Sequence, residues 1–257
     1  MLFRASSPSR QKIPVQPEPK HFLLRVGPED ITVNLRRNPR AHRYTLRVRA
    51  ASRDVVLTIP ARGTLKEALD FAQRHAGWVA VRLAKLPVTV SFIPDAVFPL
   101  RGQPHRIVHR LGARGTVWVE AGEDDERLIA VAGDAAHVAR RVEDFLKREA
   151  KRDLHEAAHR HARALGVTIT RVTLRDTASR WGSCASSGAL SFSWRLIFAP
   201  GFVLDYLAAH EVAHRAEMNH GPRFWATVDR LFPGREAAEL WLKKHGTELH
   251  RYGAAGE

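Results

Sequence analysis

Residues 210–220 read HEVAHRAEMNH, a spacing of side chains that can hold and use a metal ion. His210 and His214 are four apart, so on a helix they share one face one turn apart, within reach of a single ion. Glu211 flanks that face, where a carboxylate can take a proton from a water that the ion activates. His220 offers a third neutral nitrogen. Three protein ligands leave one tetrahedral position open for water, the signature of a catalytic zinc site rather than a structural one.

The 257 residues hold 14 His and 15 Glu. Random placement gives about 0.04 HExxH matches, and about 0.002 once a further His at the tenth position is required. A second match nevertheless occurs at His155-Glu156-Ala157-Ala158-His159. Leu154, Ala157, Ala158, Ala162 and Leu165 form an apolar stripe there, and His155 and His159 lie off it, as on a solvated helix face. His161, its nearest extra donor, points elsewhere. The 210–220 copy instead follows an apolar run, Phe202 to Ala209, which predicts a buried helix able to position ligands and exclude bulk water.

Geometry adds a demand. On an unbroken helix His220 would lie about 9 Å along the axis from His214, too far to share an ion. The helix is therefore expected to end near Met218 or Asn219, with Asn219 in the left-handed conformation and Pro222 opening a new helix. Glu217, one heptad from His210, is a rival third ligand or a supporting partner of a ligand. Glu236 and Glu239 are weaker rivals, better read as a solvated helix face.

The elements that must position these residues are legible in outline. Residues 1–30 read as a basic, Pro-rich disordered tail. Residues 31–133 read as a β-rich domain with one helix: strands Ile31–Leu35, Tyr44–Val48 and Val55–Ile59, and then a Thr64/Glu67 capping box. The helix it opens has apolar positions from Leu65 to Leu86, and strands around 105–109, 116–119 and 128–131 follow. Residues 134–165 read as a long connecting helix capped by Asp134 and ended by Gly166. Residues 166–257 form the domain of the HExxH helix, entered by a strand over 167–174 and a hairpin of Arg180–Cys184 and Leu190–Leu196. Two helices close it. The fold class is α+β, and Leu190–Leu196 is the expected edge strand for an extended peptide.

Composition limits the alternatives. No apolar run approaches the length of a membrane span, and the N-terminus lacks the apolar core of a secretory signal. One cysteine, Cys184, excludes an intramolecular disulfide and points to a reducing, cytoplasmic location. A net charge of +14 invites a nucleic-acid or anionic-ligand reading for the run from Arg36 to Arg53, which carries seven arginines and no acidic residue. A metal-dependent nucleotide pyrophosphatase would use the same donors, although no Gly-rich phosphate loop is present.

Three further stretches carry a likeness. Arg180-Trp181-Gly182-Ser183-Cys184, Ser193-Trp194-Arg195-Leu196-Ile197 with Ala199-Pro200, and HEVAHRAEMNH running into Gly221-Pro222-Arg223-Phe224-Trp225 closely resemble the YgjP-like metallopeptidase family, which looks related to the SprT-like zincins. The likeness is strong over 170–245 and looser over 31–165. It implies a zincin-like fold, a zinc cofactor, His210, His214 and His220 as ligands, Glu211 as general base and a peptide or protein substrate. Arg180, Arg195 and Arg223 are candidates for stabilising an oxyanion, and each reads at least as well as a structural ion-pair partner. Neither oligomeric state nor natural substrate follows from it.

Overall fold

The structure is a computed structural model, and it describes residues 19–49, 53–86, 88–177 and 180–253. Most of the expected tail, residues 1–18, lies outside the described residues. The chain forms two compact units, one of residues up to Val48 with Asp54–Arg82, the other of Arg49–Arg53 with Leu83 onward.

In the first unit, β1 (His21–Val26), β2 (Glu29–Asn38), β3 (Thr45–Val48) and β4 (Val55–Pro60) form a sheet in the order β1-β2-β4-β3. β1 corrects the expectation of a tail through residue 30. Its alternation buries Leu24 at 2% exposure and leaves Leu23 64% exposed, a period the adjacent leucines hide in the sequence. The inner face of the sheet carries Val33, Val55, Leu57 and Ile59, all buried, as are Ala68, Ala72 and Val79 of the helices that follow. Those helices are α1 (Leu65–Arg74) and α2 (Ala76–Ala84), two where the periodicity suggests one. The capping box forms as read: Thr64 Oγ1 accepts from Glu67 N, and Thr64 N donates to Glu67 Oε2 at 3.0 Å.

The second unit begins with β5 (Val97–Leu100), β6 (Gln103–Arg110), β7 (Val117–Ala121) and β8 (Arg127–Ala132), ordered β5-β6-β8-β7. The 28-residue α3 (Val138–Leu165) follows and ends on Gly166, whose φ of +73° suits glycine. Its first half shares a core with this sheet, where Val142, Phe145 and Leu146 meet Ile107, Ile129 and Val131. For that reason the compact units divide at 82/83, and the second sheet belongs with the long helix rather than with the first.

Past α3 come β9 (Arg171–Arg175), β10 (Gly182–Cys184), β11 (Ala189–Ser193) and a 3-10 turn, Trp194–Phe198. The sheet order is β10-β11-β9, which corrects the expected edge strand. β11 is central, with Leu190 and Phe192 at 0% and 1% exposure, and Trp194–Leu196 already belongs to the turn. The edge toward the histidines is β10. Then follow α4 (Gly201–Ala213), α5 (Pro222–Leu231) and α6 (Arg235–His245). α4 is apolar nearly all round and correspondingly enclosed: Leu204, Leu207, Ala208 and Val212 join Leu154, Ala158, Leu190, Phe224 and Val228 in a second core. Among the described residues no helix is long and apolar enough to cross a membrane.

A half-buried ion pair ties this region to Tyr252, the residue that caps the C-terminal turn of residues 246–251. Arg195, 3% exposed, donates from Nε to Asp176 Oδ1 at 2.7 Å, from Nη2 to Oδ2 at 3.0 Å and from Nη1 to Tyr252 O at 2.5 Å. Burial alone would raise the Asp176 carboxyl, but the guanidinium outweighs it and holds the group below its ordinary value. Replacement by Asn should leave the charge of Arg195 without its counter-ion. We expect Asp176→Asn to lower unfolding stability at neutral pH by roughly 2 kcal/mol, below the ~3–5 of a fully buried pair because about half of Asp176 meets solvent. A carboxyl with a depressed folded-state pKa stabilises above its unfolded value, near 4, and loses that contribution as the pH falls through the folded value. Denaturant midpoints of the two proteins should therefore converge as the pH falls into the acid range; a difference that does not shrink is inconsistent with the pairing.

Candidate metal centre

α4 stops at Ala213, earlier than the expected Met218 or Asn219, and His214 is its C-cap. Bonds to carbonyls three and four residues back close the turn: Arg215 N to Val212 O at 2.9 Å, and Ala216 N and Glu217 N to Ala213 O, both at 3.0 Å. Asn219 does not take the left-handed conformation, because the turn is closed before the chain reaches it. Arg215 fastens the turn to the preceding hairpin through Thr168 O at 3.2 Å and Ser186 O at 2.9 Å. The chain then doubles back, and α5 starts with Pro222 in its first turn. His220 comes to lie over His210.

The three expected histidines are brought together. One nitrogen from each of His210, His214 and His220 lies within 4.8 Å of the others, and the two Nε2 atoms of His210 and His220 are 3.1 Å apart. Two nitrogens bound to one tetrahedral zinc at about 2.05 Å would sit roughly 3.3 Å apart, so the spacing fits an ion of that size. Phe224, fully buried, packs its ring 4.5–4.9 Å from all three imidazoles and fixes their planes. His214 Nδ1 is 3.1 Å from Glu217 O. A carbonyl only accepts, so Nδ1 carries the proton and Nε2 keeps its lone pair available to an ion. Burial, reinforced by His214 and His220, lowers His210 to about 4, and burial likewise lowers His214. Both stay neutral at pH 7, the form in which an imidazole can bind a metal.

The rivals fall into other places. Among the described residues this is the one group of three donors so close together, and the Glu217 carboxylate is outside it. Glu217 reaches the site through its backbone carbonyl. Glu236 and Glu239 also lie outside. In the 155–159 match, His155 and Glu156 are exposed on α3, and no third donor approaches them. His161 is buried and 2.6 Å from Asp205. Of the three arginines, Arg195 is committed to Asp176, and Arg180 is close enough to Glu211 to lower its pKa. Burial raises the Cys184 thiol, the wrong direction for a nucleophile.

Glu211 is 5% exposed, and its Oε2 has no hydrogen-bond partner. Burial pushes it up to about 7, with Arg180 opposing. β10 makes this burial possible. A Cβ built on Gly182 would fall 2.7 Å from Glu211 Cγ and closer still to Oε1, so only glycine lets the strand lie against the carboxylate. Sequence reasoning passed over Gly182 because nothing in a strand-like Trp-Gly-Ser-Cys run marks a close approach. We expect Gly182→Ala to fold, since a side-chain tip can yield, but to displace Glu211 and reduce catalytic turnover about 10²-fold at unchanged metal content. Wild-type turnover in that variant would show that the contact does not place the carboxylate.

Known proteins supply a family for the chain. The profile of the family described as YgjP-like, metallopeptidase domain, matches residues 43–245. No curated protein matches. Among solved structures, the metallopeptidase zymogen of Pyrococcus abyssi abylysin is similar at 20% identity and a TM-score of 0.34, over 38% of this chain and 97% of its own. That of Methanocaldococcus jannaschii jannalysin is similar at 19% identity and a TM-score of 0.31, over 37% and 96%. The family match spans most of the sequence, including every residue of the histidine cluster: the chain belongs to the YgjP-like metallopeptidases, with an α+β fold.

Proposed function

We propose that this protein is a zinc-dependent peptidase in which His210, His214 and His220 hold the ion and Glu211 is the general base. The observation that carries the reading is the convergence of three imidazole nitrogens beside a buried carboxylate oxygen that has no partner. Zinc bound there would supply a Lewis acid that polarises a carbonyl and brings the pKa of water to about 7. Glu211 Oε2 is free to accept the proton of the attacking water and to pass it to the departing amine. The burial of α4 limits competing solvent. β10, paired on one side only, offers an outer edge beside Glu211 to an extended peptide backbone. A reducing, cytoplasmic setting suits the single thiol.

Glu211→Gln should keep about one zinc per chain and lose about 10²–10⁴ of casein cleavage, whereas His220→Ala should lose the zinc. Cleavage by Glu211→Gln at the wild-type rate would sink the mechanism. Hydrolysis of nucleoside triphosphates that requires Glu211, without casein cleavage, would favour a pyrophosphatase instead.

We also propose that the first unit contacts a polyanion such as nucleic acid. The Arg36–Arg53 run is less uniform than its sequence: Arg37 binds the carbonyls of Pro60 and Gly63, and Arg53 those of Leu83 and Leu86. Arg36 and Arg47 instead stand on the outer face of the sheet, in rows with Thr45, Thr58 and Asn34. Four contacts, from Arg36, Arg40, Arg43 and Arg47, would cost about 10²-fold in duplex affinity between 50 and 200 mM salt. Arg36→Glu with Arg47→Glu should flatten that dependence in fluorescence anisotropy; absence of binding at 50 mM would dismiss this contact.

A further inference from the structure

His210 is held from the far side of its ring by side chains that the HExxH pattern does not contain. Tyr206 lies one turn earlier on α4 and is 4% exposed; its hydroxyl is 3.4 Å from His210 Nδ1 and 2.9 Å from Glu239 Oε1 on α6. Glu239 Oε1 also accepts from Arg235 Nη1 at 3.0 Å. Arg235 donates in turn from Nε to Asp229 Oδ1 at 2.7 Å and lies 4.5 Å over the ring of Trp225, which borders His210 and His220.

The direction of these bonds follows from which atoms own protons. An ionised carboxylate only accepts, so the single hydroxyl proton of Tyr206 goes to Glu239. The Tyr206 oxygen then has only lone pairs to offer His210, which makes Nδ1 the N–H and Nε2 the bare nitrogen. That bare nitrogen faces His220 Nε2. At 3.4 Å the last link is long for a hydrogen bond, so its effect lies in the choice of tautomer and ring orientation more than in its own strength.

We propose that Arg235, Glu239 and Tyr206 form a positioning chain that sets the tautomer and orientation of His210, so that α6 governs how tightly the centre holds its ion. The proposal rests on His210, His214 and His220 being the metal ligands. It gives Glu239 a role at the site without making it a ligand, and it distinguishes His210 from His214, whose tautomer a backbone carbonyl fixes and no mutation can remove.

The test is zinc affinity, measured by competition with a chromophoric chelator, alongside the melting temperature of the zinc-free proteins. Tyr206→Phe keeps the buried ring and deletes the hydroxyl. Glu239→Ala deletes the acceptor, whereas Glu239→Gln keeps an amide oxygen that can still accept from Tyr206. We expect Tyr206→Phe and Glu239→Ala to weaken zinc binding about 10–100-fold, with Glu239→Gln restoring most of the loss. Should Tyr206→Phe fail to fold, the contrast between Glu239→Ala and Glu239→Gln, at a partly exposed site, decides the matter. Wild-type affinity in both Tyr206→Phe and Glu239→Ala, while His210→Ala loses the ion, overturns the positioning chain alone. Retention of zinc by His210→Ala overturns the metal reading and the chain with it.

Discussion

Three imidazole nitrogens can meet at one point only because α4 stops where it does. A helix continued through residue 220 would carry the third histidine past the other two, since each residue adds about 1.5 Å along the axis. The short turn after Ala213 cancels that advance, and most of the surrounding structure serves to hold it. Arg215 pins the turn to carbonyls of the hairpin region, Phe224 of the returning helix fills the space beneath the rings, and Glu217 lends a carbonyl to His214. Donors from three consecutive segments thus become one site without any residue in a strained backbone conformation there.

The same turn must coexist with a carboxylate kept out of water, and that need falls on the strand rather than on the helix. Glu211 faces β10, where a missing side chain supplies the space. The histidine face of α4 and the flank that carries Glu211 therefore answer to different neighbours, α5 and α6 on one side and the three-stranded sheet on the other. Both sets of neighbours are in turn carried by the second half of α3.

Much of this is legible in the sequence, for identifiable reasons. The i, i+4 histidines, the following Gly-Pro and the apolar run before them each state a local requirement, and local requirements survive translation into structure. The capping box at Thr64 and the glycine ending α3 are readable on the same ground. What escapes is long-range. β1 and β5 go unread because one hides behind adjacent leucines and the other contains Pro99. β11 reads as an edge because strand order is a property of the sheet and not of the strand. Glu239 looks like one more exposed helix carboxylate, since nothing near it in sequence reveals the tyrosine of α4 that it meets. Gly182 and Tyr206 escape for the same reason: their roles are defined by what approaches them.

α3 joins two apolar clusters end to end. Ala150 belongs to the cluster under the four-stranded sheet and Leu154, one turn later, to the cluster around α4. Between them the backbone is unbroken, so the two cores share a single ladder of hydrogen bonds. Neither can come apart while the other keeps the helix intact without exposing half of an amphipathic rod to water. The two cores of the second unit are thereby coupled through one helix, and the histidine cluster, packed on the later core through Phe224, draws on both.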